Sequence, residues 1–201
     1  MARQVTKSLE SKARILASAG RGFRRKGFGG LGIDGLAKDA GVTSGAFYAH
    51  FESKAEAFRL SVEAGMTDLR DAVAAMRRNA GDAWLNQFID FYVTVRRTCD
   101  IGESCALQNL AGEVERAGDD VRQTFEHVLR EVIDQVADGL LLEGDERRAT
   151  AIAMLSILSG GISLARAVSD PVLSKDIAET TRATAQAIAQ GRMPAGPNQK
   201  G

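Results

Sequence analysis

The chain has 201 residues, 44% hydrophobic and 26% charged, with 26 Lys and Arg balanced by 26 Asp and Glu. That composition suits a soluble globular protein long enough to bury a core, and it excludes disordered and collagen-like chains. The neutral total conceals an asymmetry, because residues 1–60 carry +6 (eleven Lys and Arg against five Asp and Glu) and the remainder −6.

A basic segment joined to an acidic one fits a protein in which only the first part meets phosphate, where each cation displaces a condensed counterion. Charges clustered on solvated helix faces give the same numbers. No run reaches the roughly eighteen uncharged apolar residues of a membrane span, since residues 154–168 include Gly160, Gly161 and Arg166. Residues 1–8 lack the apolar segment of a secretory signal, so a cytoplasmic protein is expected.

Apolar residues recur at intervals of three and four and Pro is absent before Pro171, so helices are expected throughout. The first carries Leu9, Ala13, Leu16 and Phe23 on a face with Ile15 and Ala19, and ends in Arg24, Arg25 and Lys26 before Gly27. A short helix over about residues 33–40 stops at Gly41, and another over about residues 44–51 follows at once. Ser53 can cap a fourth helix with Phe58, Val62, Met66, Leu69, Val73 and Met76 on one stripe.

Past Gly81, Asp82 opens a helix carrying Leu85, Phe88, Ile89, Tyr92 and Val95, and a break near residues 99–103 precedes a shorter helix from Cys105 to Glu115. Asp119 or Asp120 begins a long helix with Val121, Phe125, Val128, Val132, Val136 and Leu140, stopped at Gly144. The last two helices are separated by Asp170 and Pro171, and the Gly- and Pro-bearing tail over residues 191–201 is expected to be disordered. The expected architecture is all-α: a three-helix helix-turn-helix domain over residues 1–54, then a larger helical effector-binding and dimerisation bundle over residues 55–190.

The run from Ile33 to Lys54 has helix-turn-helix spacing. Ile33, Leu36 and Ala37 form an inner face, Ala40 permits a close helix crossing, Gly41 supplies a left-handed turn and Val42 plugs the core. Thr43 or Ser44 caps the next helix, placing Thr43, Ser44, Gly45 and Ala46 at the end that would enter a major groove. Tyr48 and His50 are candidate phosphate or base contacts, Phe47 and Phe51 should point inward, and Lys54 at a helix start calls for a nearby anion. Singly, Tyr48 is as readily a surface aromatic, His50 a solvated polar residue and Lys54 a snorkelling cation. The specificity lies in their order.

These residues resemble the TetR/AcrR family of bacterial regulators. The resemblance runs from about Ala13 to Leu60, through Arg14-Ile15-Leu16, Phe23, Gly27-Phe28, Ile33 to Ala40, Gly41-Val42, Gly45 to Phe51 and Ser53-Lys54. It implies operator binding by Thr43, Ser44, Gly45, Tyr48, His50 and Lys54, a ligand cavity among the middle helices, and a homodimer through the last two. It also implies a transcriptional repressor released by a small-molecule or thiol-reactive effector. One departure is the stretch Gly29-Gly30-Leu31-Gly32, where the family usually has a Thr or Ser cap that also touches phosphate. Gly32 is a weaker cap, and Gly35 further softens that helix.

In the body, Ile152, Leu155, Leu158, Ile162 and the Gly160-Gly161 pair, with Ile177, Ala185 and Ile188, form apolar stripes that suit either a dimer or the chain's own core. A two-fold dimer would set its recognition helices about 34 Å apart and call for a near-palindromic operator. Trp84, Phe88, Tyr92 and Phe125, with Phe91, are candidate effector-pocket walls or ordinary core.

Cys99 and Cys105 are the only cysteines. The segment from Cys105 to Glu113 resembles a branch of the family whose cysteine starts a helix and in some members senses electrophiles or oxidants. A helix N-terminus lowers a thiol pKa, with Arg96 and Arg97 adding to the field if they fold back. An inert buried thiol is the alternative. No metal or cofactor is expected, since there is no compact ligand cluster and no Gly-rich phosphate loop. A cysteine hydrolase built on Cys105 and His127, and a helical ligand-binding protein without DNA, are the competing classes.

Overall fold

The computed structural model describes residues 2–191, with side chains from residue 8. Of the tail expected to be disordered, residues 192–201 lie outside the described residues. The described residues form the helices α1 (Ala2–Lys26), α2 (Ile33–Asp39), α3 (Ser44–Tyr48), α4 (Lys54–Ala80), α5 (Trp84–Phe91), α6 (Ala106–Glu115), α7 (Asp119–Ala137), α8 (Gly144–Ala167) and α9 (Pro171–Ala189), with no strand. Two compact units result: residues 1–68 with 100–128, and residues 69–99 with 129–201. The three N-terminal helices thus share a unit with α6 and the first half of α7, whereas the sequence reading drew its line at residue 54.

In the first unit α1 buries Ile15, Ser18, Ala19 and Phe23, which recur every three to four residues. At about 100° per residue, Leu9 and Ala13 lie well round from this stripe. Both are exposed, Leu9 at 63%, so the expected face is rotated. The cations ending α1 are occupied locally. Arg24 Nε donates to Gly102 O at 2.6 Å and Arg25 Nε to Asp100 Oδ1 at 2.9 Å, tying α1 to the 3-10 turn Ile101–Glu103. Phe23, Phe28 and Phe58 form a cluster with centroids 5.1–6.1 Å apart, which anchors the chain leaving α1.

In the second unit α5 runs into a π-helical turn, Tyr92–Arg96. That wider turn changes the register of the buried face. Val93 is buried four residues after Ile89, but Val95, which unbroken periodicity places beside Phe88 seven residues earlier, is 48% exposed. Arg166 of α8 caps the far end: Nη1 donates to the carbonyls of Arg96 (2.7 Å) and Arg97 (3.0 Å), and Nη2 to that of Cys99 (3.1 Å).

The helices α8 and α9 pack along most of their length. Gly161 makes the close approach possible, because a Cβ there would lie 2.1 Å from Thr181 Oγ1. Asp170 caps α9 by accepting from Val172 N–H at 2.9 Å, with Pro171 in the first turn. α8 is more continuously apolar than the sequence reading allowed, with a mean hydropathy of 1.4 over eighteen residues, 44% of them buried within the chain. Leu155, Leu158, Ile162 and Ala185 belong to this intrachain core, whereas Ile152 and Gly160 are exposed.

Candidate nucleic-acid interface

The start of α2 is set by Gly32, with φ −80° and ψ 169° and no side-chain cap. Its end is a Schellman turn: Gly41 takes φ +68°, Val42 N–H donates to Ala37 O (2.9 Å) and Gly41 N–H to Lys38 O (3.0 Å). A side chain at Gly41 would be strained, which is why the turn needs glycine. Two residues later Thr43 caps α3, its Oγ1 accepting from Ala46 N–H at 3.1 Å. Ser44 does different work, donating from Oγ to Asp34 Oδ1 at 2.5 Å and joining α3 to α2.

Beneath this helix Phe47 and Phe51 are buried with ring centroids 5.0 Å apart. Thr43, Gly45, Tyr48 and Ala49 are exposed on the opposite side, Tyr48 at 55%, while Ser44, Ala46 and His50 are half-buried. The spacing explains the division: one face of so short a helix carries two aromatic anchors, leaving the other face small residues and one tyrosine. His50 lies just past α3, its ring 6.5 Å from that of Phe51.

Ser53 caps α4 by accepting from Glu56 N–H at 3.0 Å, and Glu56 Oε2 accepts from Glu52 N–H at 2.6 Å. Lys54 opens the helix. Its Nζ stands 4.3 Å from the centre of the Phe28 ring, a cation–π contact that ties the start of α4 to the α1–α2 connection. Sequence reasoning named Gly27-Phe28 without giving Phe28 this role. Only the fold joins residues 28 and 54.

The remaining candidate residues are distributed between the units. Trp84, Phe88 and Tyr92 form a buried row in the second unit, the first pair tilted at 31° and the second edge-on at 70°, with the Trp84 Nε1–H donating to Gly139 O at 3.2 Å. Trp84 also lines a cavity of about 230 Å³ with Leu85, Leu140 and Gln186, whereas Phe125 belongs to the first unit and is half-buried. Cys105 is the N-cap residue of α6 and only 4% exposed. Cys99 is half-buried, with Sγ 3.9 Å from Arg166 Nη1. Arg96 and Arg97 fold onto their own unit, Arg96 over the Phe91 ring at 4.7 Å and Arg97 Nε on Val93 O at 3.1 Å. Among the described residues no group of three or more His, Cys, Asp or Glu is placed to hold a metal ion.

Residues 15–59 match the family model described as bacterial regulatory proteins, tetR family. The chain is 46% identical over 52 residues to the uncharacterized HTH-type transcriptional regulator YerO of Bacillus subtilis (strain 168), covering 26% of this chain and 18% of that protein. It is 26% identical over 125 residues to the HTH-type transcriptional repressor DhaR of Mycobacterium sp. (strain GP1), covering 62% of each. The match therefore spans less than two thirds of either curated relative. In fold, the chain superposes on SCO4454, a TetR-family transcriptional regulator from Streptomyces coelicolor, with a TM-score of 0.73 at 21% identity over 90% of this chain and 95% of that one. Residues 15–59 thus match the tetR family of bacterial regulatory proteins in sequence, and the chain shares the all-helical fold of SCO4454.

Proposed function

We propose that this transcriptional regulator represses as a homodimer, reading a near-palindromic operator through α3 and released by a small-molecule or thiol-reactive signal. The observation that carries the DNA reading is the exposed face of α3. Thr43, the bare backbone at Gly45, and Tyr48 stand over a rigid Phe47–Phe51 base, in the segment of the chain that bears +6. Small side chains let the backbone approach a groove, and Tyr48, His50 and Lys54 supply hydrogen-bonding and charged contacts round it. Ser44 would contribute through its hold on Asp34 as much as through DNA.

A dimer through α8 and α9 is supported by Ile152, Ser156, Gly160 and Leu164. They lie four residues apart and are all exposed, with no atom within 4 Å of a Cβ built at Gly160. Val172 at 65% exposure adds to the apolar surface on α9. Trp84, Phe88 and Tyr92, which share the second unit, are proposed to shape the effector site. Cys105 is the proposed thiol trigger, and its burial means that modification must first loosen the start of α6. The hydrolase reading gains nothing here, since Cys105 is buried while His127 is exposed.

The test is a mobility shift with DNA from upstream of the chain's own gene. Wild type should bind at moderate salt, Tyr48→Ala should bind much more weakly, and equal affinity would sink the assignment of α3. Leu164→Glu should convert a dimer to a monomer in sedimentation. An electrophile should release DNA from wild type and not from Cys105→Ser; equal release would remove Cys105 from the mechanism.

A further inference from the structure

We propose that Asp34 and Ser44 together form a specificity element that reads the amino edge of a cytosine, a role that rests on the reading of operator DNA by α3. Ser44 opens α3, and Asp34 lies in the first turn of α2. The Ser44 hydroxyl donates to Asp34 Oδ1 at 2.5 Å, the short distance of a hydrogen bond to a carboxylate. Ser44 stands one helical turn before Tyr48, so the pair borders the exposed face of α3. Asp34 is itself exposed, and among the described residues no cation is paired with it.

A serine hydroxyl carries one proton and two lone pairs, and a carboxylate carries lone pairs alone. With its proton given to Asp34, Ser44 can only accept, and so can the second carboxylate oxygen. A phosphate, which has no proton to offer, finds no partner in such a pair and is repelled by its charge. Thr43 is the opposite case, because its Oγ1 accepts from Ala46 N–H at 3.1 Å and keeps its own proton for a phosphate. Two adjacent hydroxyls are thereby divided, Thr43 toward the DNA backbone and Ser44 toward a base.

In the major groove the donors are amino groups, at cytosine N4 and adenine N6, whereas guanine shows two acceptors and thymine an acceptor and a methyl group. The partner base sets an acceptor next to the amino group in both amino-bearing pairs, so the choice between them falls to the other side. There adenine carries N7, a further acceptor, and cytosine a bare C–H. A pair made of acceptors is opposed by N7 and not by the C–H. Cytosine is therefore the base that Asp34 and Ser44 select.

The experiment selects duplexes from a randomised library with the full-length protein, then measures the selected site and its single-base variants by fluorescence anisotropy. Wild type should prefer cytosine about tenfold at one position, the discrimination of one base contact. Asp34→Asn, which offers a proton as well as an acceptor, should move the preference at that position alone to adenine. Ser44→Ala, which unmoors the carboxylate, should flatten it. Replacing the cytosine by 2-pyrimidinone, which lacks the amino group, should cost wild type about tenfold and Asp34→Asn little. A pair that merely holds α3 against α2 would weaken every duplex alike and leave the preferences as they were, and that result overturns the proposal. A base other than cytosine at the position that responds to Asp34→Asn also overturns it. A wild type that selects no motif overturns the operator reading and this proposal with it, whereas a motif untouched by Asp34→Asn overturns the proposal alone.

Discussion

Gly32 offers a direct measure of how far the first turn of α2 limits the stability of the helix-turn-helix. The residue occupies an N-cap in extended backbone, and a Cβ built on it meets no atom within 4 Å, so serine and alanine both fit without strain. Serine adds a hydroxyl that can accept from an unsatisfied amide of the first turn, worth a few tenths of a kcal/mol over glycine, whereas alanine falls about 1 kcal/mol below serine. The order Gly32→Ser above wild type above Gly32→Ala should appear in urea midpoints at one fixed protein concentration. The roughly 1 kcal/mol spread corresponds to about 2–4 °C in Tm for a chain of this length. If the serine also reaches a phosphate, operator affinity should rise up to about tenfold, one hydrogen bond to a charged group. Alanine as stable as serine would refute the claim that α2 lacks a cap, and a stabilised serine variant with unaltered DNA affinity would refute the phosphate contact alone.

Lys54→Gln should lower operator affinity and reduce the slope of log K against log salt by about one for each reader bound, measured by fluorescence anisotropy. Gly161→Ala should destabilise the second unit by up to about 2 kcal/mol, the difference between overpacking of about 1–3 kcal/mol against Thr181 and the roughly 1 kcal/mol of helix propensity gained. In a double-mutant cycle Thr181→Ala should recover on the order of 1 kcal/mol of that loss, since the clashing atoms include Thr181 Oγ1 at 2.1 Å and Cγ2 at 2.7 Å. Arg166→Met removes the donor to the carbonyls of Arg96, Arg97 and Cys99, and should cost about 1–3 kcal/mol in urea denaturation.

The helix-turn-helix was legible because its signals are local. Gly41 stops α2 through backbone sterics, Thr43 starts α3 through a bond three residues long, and Phe47 and Phe51 share a face by helical spacing alone. The stripe of α4 was legible for the same reason, with Phe58, Val62, Met66, Leu69 and Val73 all buried. Periodicity failed where geometry departs from 3.6 residues per turn. At the π-helical turn Tyr92–Arg96, Val95 is left exposed, and nothing in its apolar character signals that. It failed too for Leu9 and Ala13, whose hydrophobicity says that they can be buried but not that a partner reaches them.

What the sequence by itself determined, then, is an all-helical chain with a helix-turn-helix between Ile33 and Lys54, since hydrogen bonds to neighbours a few residues away decide where helices begin and end. Tertiary structure alone decided that Glu113 holds Phe28, that Phe28 carries Lys54, that Arg166 caps the π-helical end, and that Leu155 and Leu158 serve the intrachain core while Leu164 stays exposed. Each is a contact between residues far apart in the chain, or a choice between chemically equivalent faces, and spacing along one strand of sequence carries no information about which distant surface will cover it.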